Sequence, residues 1–274
     1  MTEHINKAGV YVPETGITYP ELPDTPLLNP KIVYDIDFED NYPFLDRSFY
    51  GRLNNFIIYT GIFCLVFPLH KLRYGLKIKG KENIKKNMKL FKNGAMTVSN
   101  HVYGWDFLAV AQAVKYRRLW FPVRALQVKT KQKFMIRGAG GLPIPEKPAA
   151  LRRFNLAFDK LHEEKKWIHI FPESCRWDFY QPIRPFRKGA FKMAYRYDIP
   201  VIPMAISYRK PDGIHKILGT KHPLITLTVG TPIVPGEIQG ESRNEICDIM
   251  RKNAHQQIVA MAGIEKNMWP AELD

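Results

Sequence analysis

Cysteine is scarce in this 274-residue chain, and the three present, Cys64, Cys175 and Cys247, show no C-x-x-C spacing. An odd, scattered set argues against a disulfide framework or a thiolate zinc site, and it suits a reducing compartment. No run of roughly eighteen or more apolar residues occurs, which argues against a simple membrane-spanning helix. The N-terminus lacks the basic-then-apolar pattern of a secretory signal peptide. Internal repeats, low-complexity tracts and nucleic-acid-binding motifs are also missing.

Acid is scarce too, except at the beginning. Residues 1–50 carry nine acids against Lys7, Lys31 and Arg47, a net −6, so the overall +15 leaves +21 on the remainder. A body that basic expects an anionic partner: a phospholipid surface, a phosphorylated small molecule, an acidic carrier protein or nucleic acid. With 45% apolar residues the chain can bury a core. The pattern therefore predicts one α/β layered domain, a mostly buried central sheet flanked by helices, over residues 74–274.

Two segments precede it. Residues 1–50 are an acidic extension in which Pro13, Pro20, Pro23, Pro26, Pro30 and Pro43 break regular structure. It reads either as an arm anchored by Tyr11, Tyr19, Tyr34 and Phe38 or as a free tail. Residues 51–73 contain the apolar run Phe56–Leu69, flanked by Arg52, Lys71 and Arg73. Fourteen residues of helix cover about 21 Å against about 30 Å of hydrocarbon, enough to enter one leaflet. A buried core helix is the competing reading.

Within the domain, strands are expected at Leu76–Lys79, Ala95–Ser99, Trp120–Arg124, Trp167–Phe171, Val201–Ser207 and Ile225–Val229. Helices are expected at Trp105–Arg118, Ala149–Glu164 (apolar stripe Leu151, Phe154, Phe158, Leu161) and Gly189–Tyr197. A last helix opens at the capping box Ser242–Glu245 and runs to about Ala262.

Between the buried strand and the first of these helices lies Asn100-His101-Val-Tyr-Gly-Trp-Asp106. With His101 in the turn and Asp106 in the first helical turn, the carboxylate can hold one imidazole nitrogen and leave the other as a base. Gly104 would allow a positive φ in a tight turn. The plainer alternative makes Asp106 a helix cap and His101 a satisfied turn residue.

A second cluster, Phe171-Pro-Glu173-Ser-Cys-Arg176, follows the strand Trp167–Ile170, where open α/β sheets place ligands. Glu173 could hold a hydroxyl and Arg176 grip a phosphate, or the two could form a surface ion pair. His169, within the strand, reads as a packed histidine. Phe186-Arg-Lys188-Gly189 and Pro200-Val-Ile-Pro203 come next.

In this order, over roughly residues 75–235, these blocks resemble the glycerophospholipid acyltransferase family, which includes lysophosphatidic acid and glycerol-3-phosphate acyltransferases. The resemblance implies His101 as general base and Asp106 as its orienter. It puts Glu173 and Arg176 in the acceptor pocket, with Asn100 and Lys188 as further substrate-binding candidates, and Pro200–Pro203 on the acyl-donor side. It implies transfer from acyl-CoA or acyl-carrier protein as co-substrate to a lysophospholipid acceptor, at an anionic membrane surface on its cytoplasmic side. Neither a metal nor a cofactor is expected, and no nucleic-acid partner.

Two departures stand out. The family usually carries Gly, Thr and Ser where this chain has Ser174, Cys175 and Trp177, which suggests a bulkier pocket. Glu146 stands where a phosphate-binding arginine belongs, with Lys147, Arg152, Arg153 and Lys188 as substitutes. Two rival functions remain: a thioester hydrolase using Cys175, and a non-catalytic basic protein of lipid surfaces.

Overall fold

The structure, a computed structural model, describes residues 3–36, 38 and 42–272. Asp37, Glu39 and Asp40, three of the nine acids counted above, lie outside the described residues. Among the described residues the strands are β1 (Ile5–Asn6), β2 (Lys77–Lys79), β3 (Ala95–Ser99), β4 (Leu119–Arg124), β5 (Gly141–Ile144), β6 (Trp167–Ile170), β7 (Val201–Arg209), β8 (Leu224–Val229) and β9 (Ile264–Lys266).

Seven of them form one sheet in the order β2-β8-β7-β3-β6-β4-β5. Its strands are parallel from β7 through β5; β8 turns back antiparallel on β7, and β2 runs with β8. Strand β3 lies at the centre, and all five of its residues are buried. That is the environment of a parallel strand covered on both faces, and its two polar side chains are small and hydrogen-bonded inside, Thr97 to His169 and Ser99 to Asn100 O.

The side chains alternate between two cores, as period-2 geometry requires. Met96, Val98, Val201 and Ala205 face a cluster built with helices Pro148–Glu163, Gly189–Arg196 and Arg243–Met261. Ala95, Ile202, Met204 and Ile206 face the opposite cluster, with helix Asp106–Ala113. The expected α/β layered architecture is present.

The apolar helix differs from its expected length. It runs unbroken from Phe49 to Tyr74, 26 residues, which by length and composition is enough to cross a membrane. At 1.5 Å per residue this is about 39 Å. Pro68 lies inside it and has no N–H to donate. The turn ahead of Pro68 widens to a π-helix over Ile62–Val66, in which Phe67 N–H reaches back to Ile62 O. Ser48 caps the start, accepting from Gly51 N–H, and Gly75 ends the helix in the left-handed region at φ 52°.

Gly51 at its start and Ile62, Phe67, His70 and Tyr74 in its second half are buried, and Ile58 between them is partly buried. Gln112 Nε2–H donates to His70 Nδ1 at 2.8 Å, so Nε2 carries the ring proton and meets Tyr103 Oη at 2.9 Å. A buried polar chain thus latches the helix to the site helix.

Helix Asp106–Ala113 stops well short of Arg118. Lys115 and Tyr116 both adopt φ 58°, turning the chain so that the Tyr116 ring packs on Phe63 and Phe67. A tertiary contact overrides local helix preference there. In helix Pro148–Glu163 the buried stripe is Ala150, Phe154, Ala157, Phe158 and Leu161, and Leu151 is exposed instead. The Ser242 cap accepts from Glu245 N–H as expected, but the Glu245 carboxylate reaches back to Glu241 N–H, one residue before the cap.

The described part of the N-terminal arm lies along the body. Strand β1 pairs antiparallel with β9, Tyr19 Oη donates to Asp178 O, and Val33 and Tyr34 N–H both donate to Lys129 O.

Candidate active site

The parallel register places the ends of β3 and β6 side by side, Val98 opposite Ile170, so the turns after each strand meet. They are joined through the backbone. Trp177 N–H donates to His101 O at 3.1 Å and Phe179 N–H to Val102 O at 2.7 Å.

His101 and Asp106 come together in this turn: His101 Nδ1 lies 2.6 Å from Asp106 Oδ2. A carboxylate only accepts, so Nδ1 carries the proton and Nε2 is left as the basic nitrogen. The Asp106 side chain is 2% exposed, whereas that of His101 is 23% exposed. Asp106 also receives Val102 N–H on Oδ2 at 3.1 Å and Phe107 N–H on Oδ1 at 2.9 Å, at the start of a helix whose dipole favours the anion. It therefore steadies the helix start and holds the imidazole at once. The His101 ring also lies against Phe171, and His169, fully buried with Nδ1 2.9 Å from Thr97 Oγ1, packs edge-on to Phe171. The packed reading of His169 agrees with this.

Asn100 is not placed to bind substrate. Its amide is buried and spans the backbone of Ile206, donating to the carbonyl at 2.9 Å and accepting from the N–H at 2.8 Å. With both ends committed to β7, it anchors the turn to the sheet.

Glu173 also has a different job from the one expected. It is buried, and Oε2 accepts from His101 N–H and from Arg184 Nη2, each at 2.9 Å. Oε1 accepts from Arg184 N–H, again at 2.9 Å. Its oxygens are spent inside the protein, so it cannot grip an acceptor hydroxyl in this arrangement; it fixes the backbone from which His101 projects. Arg184, missed in the sequence, is as buried as its partner and also donates to Pro23 O, Cys175 Sγ and Cys175 O while lying over the Trp177 ring. Such density of bonds is what a buried ion pair needs to survive desolvation.

Arg176 remains available at the site. Its Nε pairs with Asp178 at 2.7 Å, and the side chain is 34% exposed. One terminal nitrogen lies 3.0 Å from where a Cβ on Gly104 would sit. Gly104 is therefore not there for a positive φ, which it does not have; its missing side chain lets the guanidinium lie against the His101 turn. Lys188 is directed elsewhere, to a surface pair with Asp248 at 3.0 Å.

The departures at 174–177 acquire a physical reason. Ser174 sits at φ 68°, a conformation that glycine adopts freely. Trp177 Nε1–H donates to Thr25 O at 2.8 Å, and Cys175 Sγ lies 3.5 Å from the same oxygen. Tyr19 stacks on the Trp177 ring. These bulky residues seat the N-terminal arm; they do not fill an acceptor pocket. Cys175 is buried, and burial pushes its thiol pKa up despite the opposing Arg184 charge, the reverse of what a thiol nucleophile needs. Burial and a raised thiol pKa disfavour the Cys175 hydrolase reading.

Of the basic candidates near Glu146, Arg153 donates to Phe38 O and Arg152 is exposed on the outer face of its helix. Arg124, not singled out in the sequence, ends β4 opposite Ile144 and donates to Asn29 Oδ1 at 3.2 Å. A cavity of about 340 Å³ lies between the arm, the start of the apolar helix and β5, walled by Tyr42, Phe44, Trp120 and Phe134. None of the six candidate residues lines it.

Residues 75–207 match the family model described as Acyltransferase. Among curated proteins, the 1-acyl-sn-glycerol-3-phosphate acyltransferase of Saccharomyces cerevisiae is 24% identical over 152 residues, covering 52% of this chain and 46% of that one. The match thus spans less than half the length of that relative. Among solved structures, PlsC, the 1-acyl-sn-glycerophosphate (LPA) acyltransferase of Thermotoga maritima, aligns over 80% of this chain and 84% of its own with a TM-score of 0.51. At 17% identity that likeness is one of fold.

Proposed function

We propose that this chain, whose residues 75–207 match the acyltransferase family model, moves an acyl group from a thioester, acyl-CoA or acyl-carrier protein, to a hydroxyl of a lysophosphatidic acid-like acceptor. The observation that carries this is the 2.6 Å contact between His101 Nδ1 and Asp106 Oδ2, which leaves Nε2 as a base in a partly exposed turn.

In this reading His101 Nε2 takes the hydroxyl proton as the acceptor oxygen attacks the thioester carbonyl. The C–O bond forms, the carbonyl oxygen becomes the oxyanion of a tetrahedral intermediate, and its collapse breaks the C–S bond and releases thiolate. Asp106 holds the tautomer and compensates the imidazolium. Base catalysis of this kind contributes about 10²–10⁴-fold. Arg176 meets the acceptor phosphate, and backbone N–H groups near Gly104 are the candidates for the oxyanion. No step needs a metal, a cofactor or an acyl-enzyme.

The apolar helix is read as lying in the plane of one leaflet on the cytoplasmic side. Ile62, Phe67, His70 and Tyr74 are buried against the domain, which puts the domain at the flank of the helix, as suits a helix lying in the interface plane. The outward stripe, with Phe56, Ile57, Phe63, Leu65, Leu69 and Leu72 exposed, faces the acyl chains, and the basic body faces anionic headgroups. The test of the function is thiol release from palmitoyl-CoA and from palmitoyl-carrier protein. Release that requires lysophosphatidic acid supports the transferase, release without acceptor means a hydrolase, and no release with either donor leaves a lipid-surface binder.

A further inference from the structure

Strands β7 and β8 form an antiparallel hairpin, yet fourteen residues, Lys210 to Pro223, separate them. Hairpin loops commonly need about two to five. The excess forms a short helix, Gly213–Ile217, with no buried residue. Three large apolar side chains there point outward: Ile214 is 53% exposed, Ile217 81% and Leu218 72%. Lys210, Lys216 and Lys221 flank them, with Asp212 as the lone acid of the loop.

The loop is tied to the apolar helix. His215 Nε2 meets Leu72 O at 2.6 Å, and a Cβ on Gly75 would lie 3.1 Å from the His215 ring. Leu69 and Leu72, on the last turns of that helix, are exposed beside it. Strand β7 runs parallel to β3 and continues five residues past Met204, the partner of Ser99. The hairpin therefore stands roughly 16 Å beyond the end of β3, at the end of the sheet that carries His101.

We propose that the β7–β8 hairpin is a second lipid-inserting element, driving Ile214, Ile217 and Leu218 into an anionic membrane beside the apolar helix. It rests on the membrane reading of that helix and adds a second contact to it. Apolar side chains on a polar loop insert while the neighbouring lysines meet anionic headgroups. Two contacts flanking one end of the sheet would also set the tilt of the domain, with the His101 turn facing the lipid from which the acceptor comes.

The test uses the full chain and vesicles of phosphatidylglycerol and phosphatidylcholine. Cys64 is the exposed cysteine, on the apolar helix, and Cys175 and Cys247 are buried. A nitrobenzoxadiazole label on Cys64 reports the helix; the same label on Ile217→Cys in a Cys64→Ser background reports the hairpin. Both labels should brighten severalfold and shift to the blue on vesicle addition, more with phosphatidylglycerol present. Ile217→Asp/Leu218→Asp, with an unchanged thermal melt, should partition onto vesicles about tenfold less. A response at 64 with none at 217 overturns the hairpin proposal and leaves the helix reading standing. Silence at both positions overturns both. A label at 217 already blue before vesicles are added points to a protein partner and also overturns it.

Discussion

The His101 imidazole lies face to face with the Phe171 ring, their centroids 3.9 Å apart and their planes 15° from parallel. The stack and the Asp106 contact restrain the same ring in two directions. When His101 takes a proton, the cation forms over an aromatic face, an interaction worth about 0.5–2 kcal/mol. Phe171→Leu should therefore lower kcat by roughly 3- to 30-fold with both KM values nearly unchanged. Steady-state kinetics decides it; an unchanged kcat would make the ring mere packing.

Gly104→Ala puts a methyl group where the Arg176 guanidinium now lies, 3.0 Å away. The side chain would have to move, and the acceptor KM should rise more than the thioester KM. Arg176→Ala should show the same asymmetry more strongly. A change confined to the donor KM would assign Arg176 to the other substrate.

Removing one member of the Glu173–Arg184 pair leaves a buried charge, a loss of about 3–5 kcal/mol. Glu173→Gln and Arg184→Met should each unfold at much lower denaturant, and the double variant should recover part of the difference. If Glu173→Gln keeps full stability and only weakens acceptor binding, Glu173 is a substrate ligand after all.

Three buried histidines should make the protein acid-sensitive. Burial pushes His70 and His255 down to about 4; burial, with a smaller contribution from His101, pushes His169 down to about 3. The unfolded chain titrates near 6.5. Between about pH 6.5 and 4 the unfolded state binds more protons, so the stability present above pH 6.5 is lost as pH falls. Three protons correspond to a slope of up to about 4 kcal/mol per pH unit. Urea midpoints measured across that range check it, and a flat profile would contradict it.

Strand β3 was legible because a strand covered on both faces carries no charge and few polar groups, here only Thr97 and Ser99, and the His101–Asp106 contact because a five-residue turn leaves few ways to connect it to a helix. The ends of elements were less so. The expected helix over 105–118 stops at Ala113 because of Tyr116, whose partners Phe63 and Phe67 are distant in sequence. The apolar helix exceeds its fourteen-residue run because one face packs on protein and so tolerates His70 and Gly51. Arg184 carried no local signal: its partner lies eleven residues away across an irregular loop, and only the fold brings them together. Cys175 and Trp177 looked like pocket residues until the arm that covers them was in place.

Most direct of all is single-turnover thiol release from palmitoyl-CoA in the presence of lysophosphatidic acid, comparing wild type with His101→Ala and Asp106→Asn. If His101 is the base, the alanine variant keeps its melting temperature and vesicle binding while its rate falls by at least about 10²-fold, and Asp106→Asn loses rate without losing membrane association. Acceptor-dependent release at the wild-type rate from His101→Ala would contradict the assignment outright.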